Sequence, residues 1–495
     1  MLEIHQVYIP ILWSISGTIL IWLILSLLIK NIHKSSAIIS LILILFFSYG
    51  HVFTIINKLP EKKFGISSDV YLSTSYFIIV IICIRLILIS KKSFKFFNSS
   101  LNFTAIVLII FPIYTILTFP SQPNDSQLEE PNDQVYIEDF DKLNIQKNKP
   151  DIYYIILDGY ARGDVLKTIY GYDNNEFYDE LERRGFFISN ESRANYSQTL
   201  LSLASSLNMD YLDNLISNLD TNSVDRTALS SLIMNNSVFS ILKRLDYKII
   251  TFSSGYSETE IKNSDKYVSP TFSLDEFENM IIGTTPFRSL LRLIPESSPY
   301  YLHGQRILFN MDEIPNGRVN DFPSFVFAHI LAPHPPFVFA DTSVLMDSIT
   351  IVDYGDGSSY HHLDVFLQND YKEKYILQLK FLNSRVIEMV NRILSNRQSQ
   401  PIIIIQSDHG PAALLDWENP SFPAYRERLP ILNAFYFPQS KKVNPYNSIT
   451  PVNTFRFIFN EFFNGKFELL KDRSYFSKWS KPYDFILVDD KLNAQ

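Results

Sequence analysis

Four long stretches in the first 120 residues carry almost no charge, and nothing else in the chain restricts its fold so strongly. Val7–Ile29 has no charged residue, and Ser36–Asn57 has only His51. Val70–Ser90 is interrupted by Arg85 alone, near enough to one end for its side chain to reach the interface. Leu101–Phe119 is uncharged, with Pro112 as an expected kink. Each matches the ~20 residues that cross a bilayer as a helix. A cleaved leader would leave one shorter run, not four. The expectation is a four-helix transmembrane domain over residues 1–120.

Lys and Arg in the short loops set the orientation. Lys30 and Lys34 follow the first span, and Lys91, Lys92 and Lys95 follow the third. The N-terminal hexapeptide has none, and none follows the fourth span until Lys142. Lys58, Lys62 and Lys63 in the middle loop run against the pattern. The balance places both termini outside the cytoplasm, in a multi-pass plasma (inner) membrane protein whose remaining domain is extracytoplasmic.

The charges divide unevenly. Residues 1–120 hold 9 Lys and Arg against 3 Asp and Glu, a net of +6. The remainder holds 35 against 49, a net of −14. So acidic a soluble part argues against nucleic acid as a partner. It leaves room for an anionic substrate, because a bound metal inverts the local field. The one cysteine, Cys83, lies in the third apolar run. The soluble part therefore has no disulfide, no zinc thiolate site and no cysteine nucleophile.

Residues 121–150, containing SQPNDSQLEEPNDQ, read as an acidic linker. From Asp151 strands and helices alternate. Ile152–Leu157, Phe325–Ile330, Ile402 onward and Leu432–Phe437 read as strands. Asn174–Arg184, Thr199–Leu207 and Tyr371–Leu394 read as helices, the second with Asn195 or Ser197 as its cap. That alternation predicts an α/β domain over 151–480 with a doubly wound, mostly parallel sheet, and a tail over 481–495. Residues 210–320 show no clear periodicity.

Two strands end in polar residues. IIIIQSDHGP (402–411) is a buried apolar strand that stops at Asp408 and His409, with Gly410 and Pro411 breaking it. IYYIIL ends at Asp158 and Gly159. Asp-Gly also makes a plain turn, but two carboxylates at strand ends can meet at one edge of a sheet, where α/β proteins bind ligands. Two Asp and one His suit a divalent cation of intermediate hardness: Zn, Mn or Mg.

Thr199 opens TLLSLASSL. It reads either as a capping threonine or as a nucleophile at a helix N-terminus, where N–H groups favour a phosphate. His329 and His334 lie in FVFAHILAPHPPFVF. His329 also fits a satisfied core histidine. His334, fixed between Pro333 and Pro335, suits a substrate contact, a proton donor or a ligand of a second metal. Arg162, four residues past Asp158, suits a phosphate contact or a surface position. His361 and His362 fall in a polar loop and read as solvated.

In this order Asp158, Thr199, His334 and Asp408-His409 give residues 151–470 a resemblance to the sulfatase-like branch of the alkaline phosphatase superfamily. More narrowly, the chain resembles membrane-anchored phosphotransferases: lipoteichoic acid synthases, phosphoglycerol transferases of periplasmic glucans and lipid A phosphoethanolamine transferases. The resemblance implies that Asp158, Thr199, Asp408 and His409 bind a catalytic metal. It implies that Thr199 attacks phosphorus and passes through a phosphothreonine. It implies that His334, and His329 beside it, contact the substrate phosphate or help hold a second metal. The partners it implies are a phospholipid donor and a glycan or lipid acceptor.

Two departures narrow this. Sulfatases proper use a Cys-x-Pro-x-Arg motif, and this domain has no cysteine. Phosphoethanolamine transferases place a histidine shortly after the Asp-His pair, and AALLDWENPSFPAYRERLP has none. One metal is therefore the simpler expectation. With water as acceptor the same site makes a phosphodiesterase or other ester hydrolase. A non-catalytic membrane scaffold is the remaining alternative.

Overall fold

The computed structural model describes residues 4–57, 68–118, 149–216, 220–271, 276–291, 298–319, 321–339, 355–356, 358, 365–395, 400–438 and 443–493. The expected linker lies outside these residues except for Lys149 and Pro150, and so do His361 and His362. The chain forms two compact units.

The first unit contains four long helices: α1 (Ile4–Ile29), α2 (Ile32–Asn57), α3 (Ser68–Ile89) and α4 (Lys95–Thr118). By length and composition each can cross a membrane. Only a helix bonds all its own backbone groups, which is why an apolar run of this length takes that form in hydrocarbon. Most of their large apolar side chains are exposed, as in Leu27, Phe77 and Phe111. Some interior polar groups are partnered. Tyr49 Oη lies 2.7 Å from Ser73 Oγ and 2.9 Å from Ser289 Oγ.

Ser289 belongs to Phe287–Leu291, which with Glu276–Gly283 joins this unit although it lies far along the chain. The Gly50 N–H donates to Thr284 O at 3.0 Å. A Cβ on Gly50 would stand 2.3 Å from Gly283 O, so only glycine permits this approach. Part of the unpatterned stretch 210–320 is thus packed on the apolar helices.

The second unit is built on a sheet whose described strands run β2-β7-β6-β1-β5-β3-β4. Their ranges are β1 Ile152–Leu157, β2 Phe187–Ile188, β3 Lys248–Phe252, β4 Lys266–Val268, β5 Ser324–Ile330, β6 Ile402–Gln406 and β7 Asn433–Tyr436. All neighbours are parallel except where β7 runs against β6 and β2. A hairpin of β8 (Tyr475–Lys478) and β9 (Lys481–Leu487) is separate.

Both faces of the sheet are covered. Ile152, Tyr154, Ile156, Ile402 and Ile404 pack in one core with the helices Thr199–Asn208, Ser237–Arg244 and Pro451–Phe463. Tyr153, Ile155, Leu157, Ile403 and Ile405 pack in the other with Pro299–Glu313 and Val365–Ser395. Successive strand residues point to opposite faces, so a strand buried on both sides must be apolar throughout. The four isoleucines of β6 are fully buried, and each contributes about 1.5–3 kcal/mol.

Candidate active site

Strand register builds the site. β1 and β6 are adjacent and parallel, with Ile152 opposite Ile402 and Ile156 opposite Gln406. Two residues further along each strand stand Asp158 and Asp408, side by side at the carboxyl edge. Both are buried. The Gly159 N–H, in a left-handed conformation at φ 74°, donates to Asp408 Oδ1 at 3.2 Å. Neighbouring β5 supplies His329, whose Nε2 lies 3.1 Å from Asp158 Oδ2. The other ring nitrogen, Nδ1, is 2.9 Å from Thr259 Oγ1.

The helix Thr199–Asn208 carries the hydroxyl to this edge. Its N-cap is Gln198, not Asn195 or Ser197 as the sequence suggested, and it makes no side-chain cap bond. Asn195 is instead committed to Tyr211, Thr450, Val452 and Arg473. Thr199 Oγ1 lies 2.9 Å from His409 Nε2. One turn on, Ser202 Oγ donates to the carbonyl oxygen of Asp408 at 2.7 Å and pins the helix to the end of β6.

Arg428 completes the clamp. Its Nε donates to Ser197 O at 2.8 Å and its Nη1 to Gly410 O at 2.9 Å. Nη2 lies 3.2 Å from His409 Nε2 and 3.4 Å from Asp356 Oδ2. One buried guanidinium thus ties the loop before Thr199 to the loop after Asp408. Its neighbour Glu427 accepts from the N–H groups of Ala413 and Leu414 and from Tyr170 Oη, which fixes the loop beyond Pro411.

These contacts bring a set of ligand-type atoms together. His409 Nδ1 lies 2.9 Å from Gly410 O, which requires the proton on Nδ1 and makes Nε2 the acceptor that faces Thr199 Oγ1 and Arg428 Nη2. Nε2 is 3.6 Å from Asp158 Oδ1 and 3.3 Å from Asp408 Oδ2. Those two oxygens are buried and have no hydrogen-bond partner. Buried carboxylate oxygens without partners are costly, and two facing one imidazole lone pair and one hydroxyl form a cation cradle. Ligand atoms of Asp158, His329 and Asp408 also lie within 4.8 Å of one another. Carboxylate oxygens and imidazole nitrogens are the donors that Zn or Mn takes, so the residues present fit a divalent metal.

The electrostatics agree. Burial alone would raise the Asp158 carboxyl, but His334, the hydrogen bond from His329, and His409 outweigh it and hold it below the usual carboxylate range. Burial would lower His329, but its bond to Asp158 wins and raises it. Burial and the Arg428 charge lower His409, in keeping with a neutral ring.

A pocket of about 320 Å³ opens over the cluster, at the small end of the range for ligand sites. Its wall includes Asp158, Thr199, His334 and His409. His334 sets Nδ1 2.5 Å from Pro335 O, which leaves Nε2 for a further partner. Arg162 is not brought here. Asp164 holds it at 2.7 and 2.9 Å, Ser192 O accepts a third bond, and it lines a separate cavity with Arg193 and Arg426. The sequence reading missed Arg428, Arg226, Asp356, Trp417 and Trp479, which also line the pocket. No local pattern distinguishes a buried arginine from a surface one.

No family model matches the chain, and no curated protein sequence matches it. Similar solved structures include the C-terminal periplasmic domain of EcEptC from Escherichia coli, at 11% identity over 69% of this chain and 93% of that one, with a TM-score of 0.42. The integral membrane lipooligosaccharide phosphoethanolamine transferase A from Neisseria meningitidis is similar at 11% identity over 90% of this chain and 84% of that one, with a TM-score of 0.37. A 2-O GAG sulfatase is similar at 14% identity over 67% and 78%, with a TM-score of 0.44.

Proposed function

We propose that the chain is a membrane-anchored, metal-dependent phosphotransferase. It moves a phospho-headgroup, of phosphoglycerol or phosphoethanolamine type, from a phospholipid to a glycan or lipid acceptor outside the cytoplasm, through a phosphothreonine at Thr199. The observation that carries this reading is the position of Thr199 Oγ1, 2.9 Å from His409 Nε2, which itself lies 3.6 and 3.3 Å from two unpartnered carboxylate oxygens. A hydroxyl in that position has no structural role that needs such company.

Asp158, Asp408 and His409, with Thr199, would hold the metal, and His329 orients Asp158. When bound, the cation supplies positive charge where the phosphoryl oxygens become more negative. Thr199 Oγ1 forms a bond to phosphorus as the bond to the diacylglycerol oxygen breaks. His334 lines the pocket with its Nε2 uncommitted; it takes the hydroxyl proton and passes it to the departing oxygen. The acceptor hydroxyl then attacks phosphorus as the bond to Thr199 Oγ1 breaks, and its proton passes through His334 to Thr199. The N–H groups opening the Thr199 helix favour the phosphate throughout. The four apolar helices keep the chain in the membrane that contains the donor.

The test is peptide mass spectrometry of Thr199 after the full chain meets membrane lipids. A phospho-headgroup on Thr199 that moves to an added glycan or lipid supports the reading. Free headgroup with no labelled acceptor makes the protein a phosphodiesterase. Unchanged turnover in Thr199→Ala removes the covalent mechanism.

A further inference from the structure

The pocket over Thr199 contains a charge that the chemistry above does not use. Arg226, just before the helix Thr227–Met234, lies in its wall. Its guanidinium donates to Gln198 Oε1 at 3.2 Å and Trp479 O at 2.9 Å, with a longer contact to Val224 O. All three acceptors are neutral. Among the described residues no carboxylate pairs with it. Gln198 directly precedes Thr199, so this cation is held one residue from the nucleophile.

The described carboxylates that line the pocket are already committed. Asp158 and Asp408 beside it belong to the metal cradle, where a divalent cation would neutralise the pair. Asp356 is taken by Arg428 at 3.4 Å, by Trp417 Nε1 at 3.1 Å and by the Ser358 N–H at 3.0 Å. Glu258 stands behind Tyr256, whose hydroxyl donates to it at 2.5 Å. Among the described residues, the positive charge of Arg226 is therefore paired with no carboxylate at the wall.

Both indoles of the wall are engaged as well. An ammonium group is held by carboxylates or by open indole faces. The two indoles here are 5.8 Å apart. Arg226 covers Trp479 at 4.3 Å, and Arg428 lies 5.2 Å over Trp417. Each of the two indoles already carries a guanidinium. A cationic headgroup would meet like charge in a confined space, which rejects it more effectively than a lost contact would. A hydroxyl-bearing headgroup instead finds a donor that it can accept from.

Resting on the transferase reading, we infer that Arg226 and Trp479 form a headgroup filter that selects the uncharged polyol class, phosphoglycerol, over phosphoethanolamine. The test uses the full chain reconstituted with its metal in vesicles of equal phosphatidylglycerol and phosphatidylethanolamine bearing different acyl chains. The diacylglycerol species formed report which donor was consumed, and the Thr199 peptide is read in parallel. Phosphatidylglycerol consumption should exceed that of phosphatidylethanolamine by about tenfold or more, and Arg226→Glu should lower that ratio by about tenfold. Arg226→Lys should keep the preference. If Arg226→Glu does not fold, Arg226→Gln takes its place with a smaller expected shift. Equal or greater use of phosphatidylethanolamine, or an unchanged ratio in a folded variant, overturns the filter. Selective loss of phosphatidylglycerol with no adduct on Thr199 removes the phosphothreonine step and leaves the filter standing. Consumption of neither lipid overturns both.

Discussion

Thr199 Oγ1 and His409 Nε2 are 2.9 Å apart although 210 residues separate them in the chain. The helix that opens at Thr199 and the strand that ends before His409 belong to different parts of the sequence. Ser202 and Arg428 hold them in contact. If Thr199 is the nucleophile, Thr199→Ala should lower turnover by on the order of 10⁴-fold or more. Thr199→Ser, which keeps the hydroxyl, should recover a substantial part of it. Melting temperature should change little in either, because the Thr199 side chain caps nothing.

The cradle should respond to metal whether or not substrate is present. Asp158 Oδ1 and Asp408 Oδ2 repel each other until a cation joins them. A divalent ion at a hundred times its dissociation constant should stabilise the protein by about 2.7 kcal/mol. Thermal melts with Zn, Mn or Mg against chelator measure this directly. Asp408→Ala should abolish the metal-dependent shift, and an unaltered shift would remove Asp408 from the ligand set.

Arg428 should matter more for stability than any exposed arginine. Truncation to alanine leaves Asp356 half-paired and two carbonyls unbonded, at a cost of about 3–5 kcal/mol. Arg428→Lys keeps the charge but cannot reach three partners at once, so it should be only partly tolerated. Arg426→Ala, two residues away on an exposed position, should be near neutral. Denaturant melts of the three variants rank them.

Gly410 admits no side chain. A Cβ there would stand 2.2 Å from Glu427 O, a backbone atom that cannot rotate away. The Gly410 N–H also donates to Arg428 O at 2.6 Å. Gly410→Ala should cost about 1–3 kcal/mol and shift His409. Its metal affinity should therefore fall together with its melting temperature.

His334 offers a cleaner separation of chemistry from folding. With Nδ1 on Pro335 O and Nε2 left to the pocket, it should act on protons or substrate and not on the metal. His334→Gln should reduce turnover by about 10²–10⁴-fold while leaving the metal-induced rise in melting temperature intact. Loss of that rise would move His334 into the metal site.

Several elements of this architecture are local and were legible in the chain. β1 runs over the residues that its apolar run marks out, and β6 begins where its isoleucines do. The helix at Thr199 starts where its apolar periodicity starts. The four uncharged runs are helices. These are statements about period, propensity and breakers, which act over a few residues. Elsewhere local pattern failed. Asn195 has the chemistry of a cap but is spent on tertiary partners. The helix Glu276–Gly283 belongs with the apolar helices, and nothing in its own sequence says so.

The candidate ligands Asp158, Asp408 and His409 follow from the sequence alone, because an apolar strand that stops on a carboxylate or imidazole before glycine announces itself. Which of their atoms remain unspent, and which arginine serves the site, only the tertiary structure decided. Arg162 and Arg428 look alike along the chain. One folds back on Asp164 at the surface, and the other is buried across two loops. That difference arises from strand register and from packing between segments far apart in sequence. Neither is written into any short window of residues.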